Sequence, residues 1–254
     1  MSLKDRVMIM QTKLDLPEDT CRDLLTIHGM NILVIADDSS SMSAVSSTAN
    51  VYEPTTRWDE LKQTLMRLVT MMLVVDNHGF DLKFMNDDNW YKINSEADLT
   101  QIFQSKSHPL GLTPLKANLS LVLSGTPPPL ALNSEGETLV IVMTDGEPSD
   151  TNFNSLRNQI QTRPPQTYVT FIMCTEEDAV VDAYQSCIDP IKGVDIVDDY
   201  KSEKKLCEGH GNKLSFNMYL GKCLMGAKLD KYGHMDEKNM NAPPKREGGC
   251  CTLS

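Results

Sequence analysis

The chain has 254 residues, 40% of them hydrophobic and 23% charged, a composition ordinary for a globular protein and enough material for one large α/β domain. Its net charge of −11 disfavours nucleic-acid backbones as partners, because phosphate binding needs clustered Lys and Arg. The longest apolar runs, Met30 to Ala36 and Thr138 to Met143, fall far short of the ~20 residues that cross a bilayer.

Residues 1–29 carry charges at Lys4, Asp5, Arg6, Lys13, Asp15, Glu18 and Asp19, which interrupt the apolar centre a signal peptide needs. They read as an N-terminal helical extension of a cytoplasmic protein. Asn31 to Ala36 is a nearly unbroken apolar run of the kind expected of a central parallel strand buried on both faces. It leads into Asp37-Asp38-Ser39-Ser40-Ser41-Met42. From Trp58 to Val75 the residues Leu61, Leu65, Leu68, Val69, Met72 and Leu73 recur at three- and four-residue steps, predicting a helix with one face on a sheet. Phe80 to Phe84 and Trp90 to Ile93 read as a hairpin around a polar turn.

Ser95 with Asp98 resembles a capping box for a helix over Glu96 to Gln104, and Thr113-Pro114 opens another over Leu115 to Leu123. Thr138 to Met143 is a second buried strand, ending at Thr144-Asp145-Gly146. A third covers Tyr168 to Cys174, followed by helical segments near Asp178 to Cys187 and Phe216 to Leu229. Pro127 to Pro129 reads as a surface loop and Asn239 to Gly249 as a linker. The alternation of short apolar runs with helical periodicity predicts a doubly wound α/β fold, its mostly parallel central sheet covered by helices on both faces.

Three segments carry oxygen-donor chemistry: Asp37 to Met42, Leu110 to Pro114, and Thr144 to Glu147. Each falls where a loop leaves the carboxyl end of a predicted strand or begins a helix, the place where open α/β sheets bind ligands. Any one alone is more often a turn or a helix cap; their order and placement together favour a hard-cation site, since magnesium takes oxygen ligands and keeps several waters. Manganese suits the same donors.

Asp37-x-Ser39-x-Ser41, the distant Thr113, and Thr-Asp145-Gly resemble the metal-ion-dependent adhesion site of von Willebrand factor type A domains. The helix after Arg57-Trp58, the strand Phe80 to Phe84 and Gly193 to Asp198 are similar to that family too, so the resemblance covers roughly Asp15 to Leu229. The resemblance implies a Rossmann-like domain over 30–230, and residues 231–254, with their Pro- and Gly-rich stretch, read as a flexible tail. It implies that Ser39 and Ser41 bind Mg2+ or Mn2+ directly, Thr113 directly or through water, and Asp37 and Asp145 mainly through water. A coordination position stays open for an Asp or Glu carboxylate of a protein ligand. One departure is Ser40, where the family commonly has glycine; its side chain is expected to be tolerated. Asp38 and Glu147 are expected to be solvated neighbours, while Asp37, Asp38, Asp145, Glu147 and Asp150 would crowd negative charge around the mouth.

Seven cysteines, at Cys21, Cys174, Cys187, Cys207, Cys223, Cys250 and Cys251, lack paired zinc spacing and read as reduced and mostly structural. The ending Cys251-Thr-Leu-Ser254 reads as a farnesylation signal at Cys251, with Cys250 open to palmitoylation. One lipid generally needs a second signal for lasting attachment, so the expectation is an intracellular scaffold or adaptor on the cytosolic face of a membrane. The alternatives are a metal-dependent hydrolase or phosphatase, or a structural domain with a vestigial metal loop. Against an enzyme, Ser39 stands where a haloacid-type phosphatase has its second aspartate, and the serines lack the glycines of a hydrolase elbow. A phosphate loop is missing as well.

Overall fold

Unbroken apolar runs become central strands here because both of their faces are covered. In the computed structural model, which describes residues 2–46, 55–75, 79–106, 108–123 and 136–235, β1 (Asn31–Ala36), β2 (Phe80–Phe84), β3 (Trp90–Ile93), β4 (Thr138–Thr144), β5 (Thr167–Met173) and β6 (Val194–Val197) form one six-stranded sheet. The order is β3-β2-β1-β4-β5-β6. All neighbours are parallel except the β2–β3 hairpin.

The helices are α1 (Leu3–Leu14), α2 (Glu18–Leu24), α3 (Arg57–Val75), α4 (Glu96–Ser105), α5 (Leu115–Leu123), α6 (Phe153–Gln161), α7 (Asp178–Cys187), α8 (Tyr200–Gly209), α9 (Phe216–Met225) and the short α10 (Asp230–Gly233). Strand alternation splits the core into two layers. Ile32, Val34 and Ala36 of β1 join Leu139, Ile141 and Met143 of β4 in a cluster with α3, α4 and α9. Leu33, Ile35, Val140 and Val142 face the other way, against α5, α6 and α7. Val7, Met10, Leu14, Cys21 and Leu24 lie in the first cluster, so the N-terminal helices pack on the same core as the sheet.

The expected doubly wound architecture is present, and most element bounds agree within a residue or two. Helices α6 and α8 were not anticipated, and α9 ends at Met225 rather than Leu229. Cys21, Cys174 and Cys223 are buried free thiols, and Cys207 is buried beside them in the core. Among the described residues no helix is long and apolar enough to cross a membrane. The loop at Pro127 to Pro129, the tail from 236 onward, and with it Cys250 and Cys251, lie outside the described residues.

The chain leaves β1 for β2 on one side, whereas β4, β5 and β6 build out on the other. The sheet therefore has its topological switch point between β1 and β4, and a crevice opens at their carboxyl ends.

Candidate metal centre

Two of the three oxygen-rich loops leave the two strands that flank this crevice, Asp37 after β1 and Asp145 after β4. Asp37 is fully buried. One carboxylate oxygen accepts the Ser39 amide at 2.8 Å and the other accepts the Thr144 hydroxyl at 2.7 Å. Burial raises its pKa, and the bonds from Ser39 and Thr144 oppose the rise. With both oxygens committed, Asp37 fixes the turn that carries Ser39 and joins it to the end of β4.

The hydroxyls of Ser39 and Ser41 lie 3.0 Å apart. Ser41 donates to Asp145 Oδ1 at 2.8 Å across 104 residues of sequence. These separations also suit a hard cation: adjacent ligands at ~2.0 to 2.1 Å in an octahedron lie about 2.8 to 3.0 Å from each other. Hydroxyl and carboxylate oxygens at this spacing fit magnesium or manganese. Among the described residues no three His, Cys, Asp or Glu side chains are gathered to hold a metal, so a cation here has to rest on the hydroxyls together with the carboxylates.

The third loop brings Thr113, which is buried, to the same crevice through its backbone. Leu110 N–H donates to Asp38 O at 2.7 Å, and Ser40 N–H donates to Gly111 O at 3.1 Å. The Thr113 carbonyl accepts the Ser149 amide at 2.9 Å. Thr113 is thus tied to the loop after β1 on one side and the loop after β4 on the other.

Several residues act where the sequence did not reveal them. Ser40, expected only to be tolerated, pins the loops together: its hydroxyl donates to Gly111 O at 3.3 Å and accepts the Gly111 amide at 3.2 Å. Asn86, just beyond β2, clamps them further. Its amide and side-chain nitrogens reach Asp38 Oδ1 at 2.8 and 3.0 Å, and its side chain donates to Leu112 O at 2.8 Å. Asp38 is therefore not the solvated neighbour expected of it. It is 6% exposed, holds Asn86, and sits 3.4 Å from Lys106 Nζ. Glu147 is exposed, as expected. Asp150 does not add charge to the mouth in the way foreseen; its two oxygens accept the Lys116 and Ala117 amides at 3.0 and 2.8 Å, satisfying the first turn of α5.

The largest surprise is Arg57, the first residue of α3. Its guanidinium donates to Asp145 Oδ2 at 2.9 Å and to Glu177 at 2.8 Å. Burial works against its charge, but the bonds to Glu177 and Asp145 prevail and raise its pKa. Nearby, burial pushes the Cys174 thiol well up, with Asp145 adding to the effect, so this sulfur stays protonated and inert. Tyr184 donates to Gly146 O at 3.1 Å, fixing the turn after Asp145.

Fold and site together define a doubly wound α/β domain with a cradle of hydroxyls and carboxylates at its switch point. No protein-family model matches the sequence, and no curated protein matches it. Solved structures similar to it include a von Willebrand factor type A protein from Catenulispora acidiphila, at 14% identity and a TM-score of 0.42, covering 82% of this chain and 42% of that one. An aerotolerance-related membrane protein from Bacteroides fragilis NCTC 9343 is similar at 13% identity and a TM-score of 0.35, covering 57% of this chain and 67% of that one. At that distance neither likeness carries an argument about function.

Proposed function

We propose that this domain is a non-enzymatic, divalent-cation-dependent protein-binding module of the adhesion-site type named in the sequence analysis. Ser39, Ser41 and Thr113 would hold Mg2+ or Mn2+, with Asp37 and Asp145 acting mainly through ordered water. The cation supplies an electrophilic point for an Asp or Glu carboxylate of a protein ligand. The observation that carries this reading is the spacing of Ser39, Ser41 and Asp145, at 3.0 and 2.8 Å, on loops contributed by β1 and β4.

The chain's own residues do the rest. Asp37 orients the first loop, Ser40 and Asn86 fasten it to the loop before α5, and Asp150 holds the start of α5. Such prior fixing of the donors lowers the ordering cost of binding. Both serines spend their hydroxyls on each other and on Asp145, the arrangement of a cradle rather than of a nucleophile beside a histidine base.

Calorimetric titration of MgCl2 and MnCl2 into the wild type, Asp145→Ala and Ser41→Ala tests the reading. Saturable heat from the wild type, much reduced in both variants, is expected; equal heats from all three proteins would sink it. A pull-down with and without chelator then identifies the acidic partner as the protein lost on chelation. In the cell the proposed setting is a scaffold on the cytosolic face of a membrane, held by farnesyl at Cys251 and palmitoyl at Cys250. Intact mass of the protein from a eukaryotic host tests this, and an unmodified Cys251 rules the anchor out.

A further inference from the structure

We infer that Arg57 is a built-in counter-cation that sets the affinity of this site for divalent ions, an inference that rests on the metal reading above. The Asp145 side chain is 0% exposed and that of Arg57 is 14% exposed. A carboxylate withdrawn this far from water needs a positive partner, and Arg57 supplies one from within the chain. The two oxygens of Asp145 are divided: Ser41 donates to Oδ1 and Arg57 to Oδ2. In the proposed site the metal would lie on the hydroxyl side, beside Ser39 and Ser41, and the guanidinium sits on the other oxygen of the same group.

A divalent ion among Ser39, Ser41 and Asp145 would share its carboxylate with a fixed positive charge. Like charges on one shielded acceptor weaken each other's binding. Arg57 therefore stabilises Asp145 when no metal is present and lowers affinity when one arrives. Its planar fork also reaches Glu177 at 2.8 Å, whose side chain is 62% exposed. That second acceptor keeps the guanidinium compensated when a cation draws on Asp145. The cavity beside it, about 240 Å³ and lined by Val45, Arg57, Cys174 and Glu177 among others, gives the side chain room to shift toward Glu177.

The test uses the full chain as wild type, Arg57→Gln and Arg57→Lys, with MgCl2 and MnCl2 titrated calorimetrically and urea unfolding followed in EDTA. Removing the charge in Arg57→Gln is expected to tighten cation binding about tenfold. It is also expected to lower the unfolding midpoint in EDTA, with the deficit shrinking in saturating MgCl2. Arg57→Lys keeps the charge and is expected to stay within about twofold of the wild type.

Unchanged or weaker cation binding by Arg57→Gln overturns the inference, as does an Arg57→Lys protein that behaves like Arg57→Gln. A wild type that takes up neither ion overturns the metal reading itself, a different result from a wild type that binds while Arg57→Gln does not change. Should Arg57→Gln not fold, Glu177→Gln removes the carboxylate that Arg57 holds at 2.8 Å, and Glu176→Gln makes the same charge change at a carboxylate that pairs with Lys201 at 3.2 Å. A larger loss of cation affinity in Glu177→Gln supports the counter-cation role, and equal losses overturn it.

Discussion

Gly111→Ala perturbs the clamp that holds the loop before α5 against the loop after β1. Gly111 has φ +114°, a conformation that costs an L-residue about 1 to 3 kcal/mol. A methyl group there would lie 2.6 Å from Asn86 Oδ1, too close to be tolerated, so Asn86 has to move. Moving it forfeits its side-chain bonds to Asp38 at 3.0 Å and Leu112 at 2.8 Å, each with a net value of about 0.5 to 1.5 kcal/mol. The two effects together give an expected loss of about 2 to 6 kcal/mol. Urea unfolding in EDTA measures it, with an unchanged slope showing that only stability moved. A double-mutant cycle separates the causes. In an Asn86→Ala background the clash is gone, and Gly111→Ala should cost only its backbone share of about 1 to 3 kcal/mol. Equal costs in the two backgrounds refute the contact argument, and a total loss under about 1 kcal/mol refutes both.

Two further predictions concern the buried cluster around α8 and α9. Lys222 and Glu203 pair at 2.8 Å with side chains only 1% and 2% exposed, so Lys222→Met strands a carboxylate and should cost about 3 to 5 kcal/mol. The double variant Lys222→Met/Glu203→Leu should recover most of that in the same unfolding assay; no recovery would refute the pairing argument. Asp198 is pushed up to about 7, mainly by burial. The folded state then holds a proton that the unfolded chain releases near the ordinary carboxylate value, so this group's contribution to stability falls as pH rises through that interval and is constant above about 7. Asp198→Asn should flatten the fall in stability across that interval, and an unchanged pH profile would count against the shift.

The sheet was legible because burial on both faces leaves a run such as Asn31 to Ala36 with hardly a polar residue. Helix α3 was legible because its buried leucines repeat at the helical step. Helix α8 escaped notice because its buried residues are Glu203 and Cys207, and a buried glutamate hides the apolar stripe that periodicity looks for. In α6 only Leu156 and Ile160 are buried, too few to mark a face. The same logic divides the site. Asp37, Ser39, Ser41, Thr113 and Asp145 stood out as oxygen donors beside predicted strands and helices. Arg57 and Asn86 did not, because neither a guanidinium nor an amide suggests a cation site and their partners lie 88 and 48 residues away; Asp150 was visible as an acid, but its bond to the start of α5, 34 residues back, was not. Ser40 was visible but misjudged, since its worth lies in a bond to Gly111, 71 residues on.

The switch point between β1 and β4 has one more consequence. It draws the cradle from stretches of chain so far apart that an unravelled polypeptide would scatter its donors, and no local fragment could reassemble them. Uptake of an ion would then reward only the intact molecule, by RT ln(1 + [L]/Kd), so thermal endurance should track the concentration of free cation. Magnesium would serve as a reporter of whether the chain is whole before it served any partner.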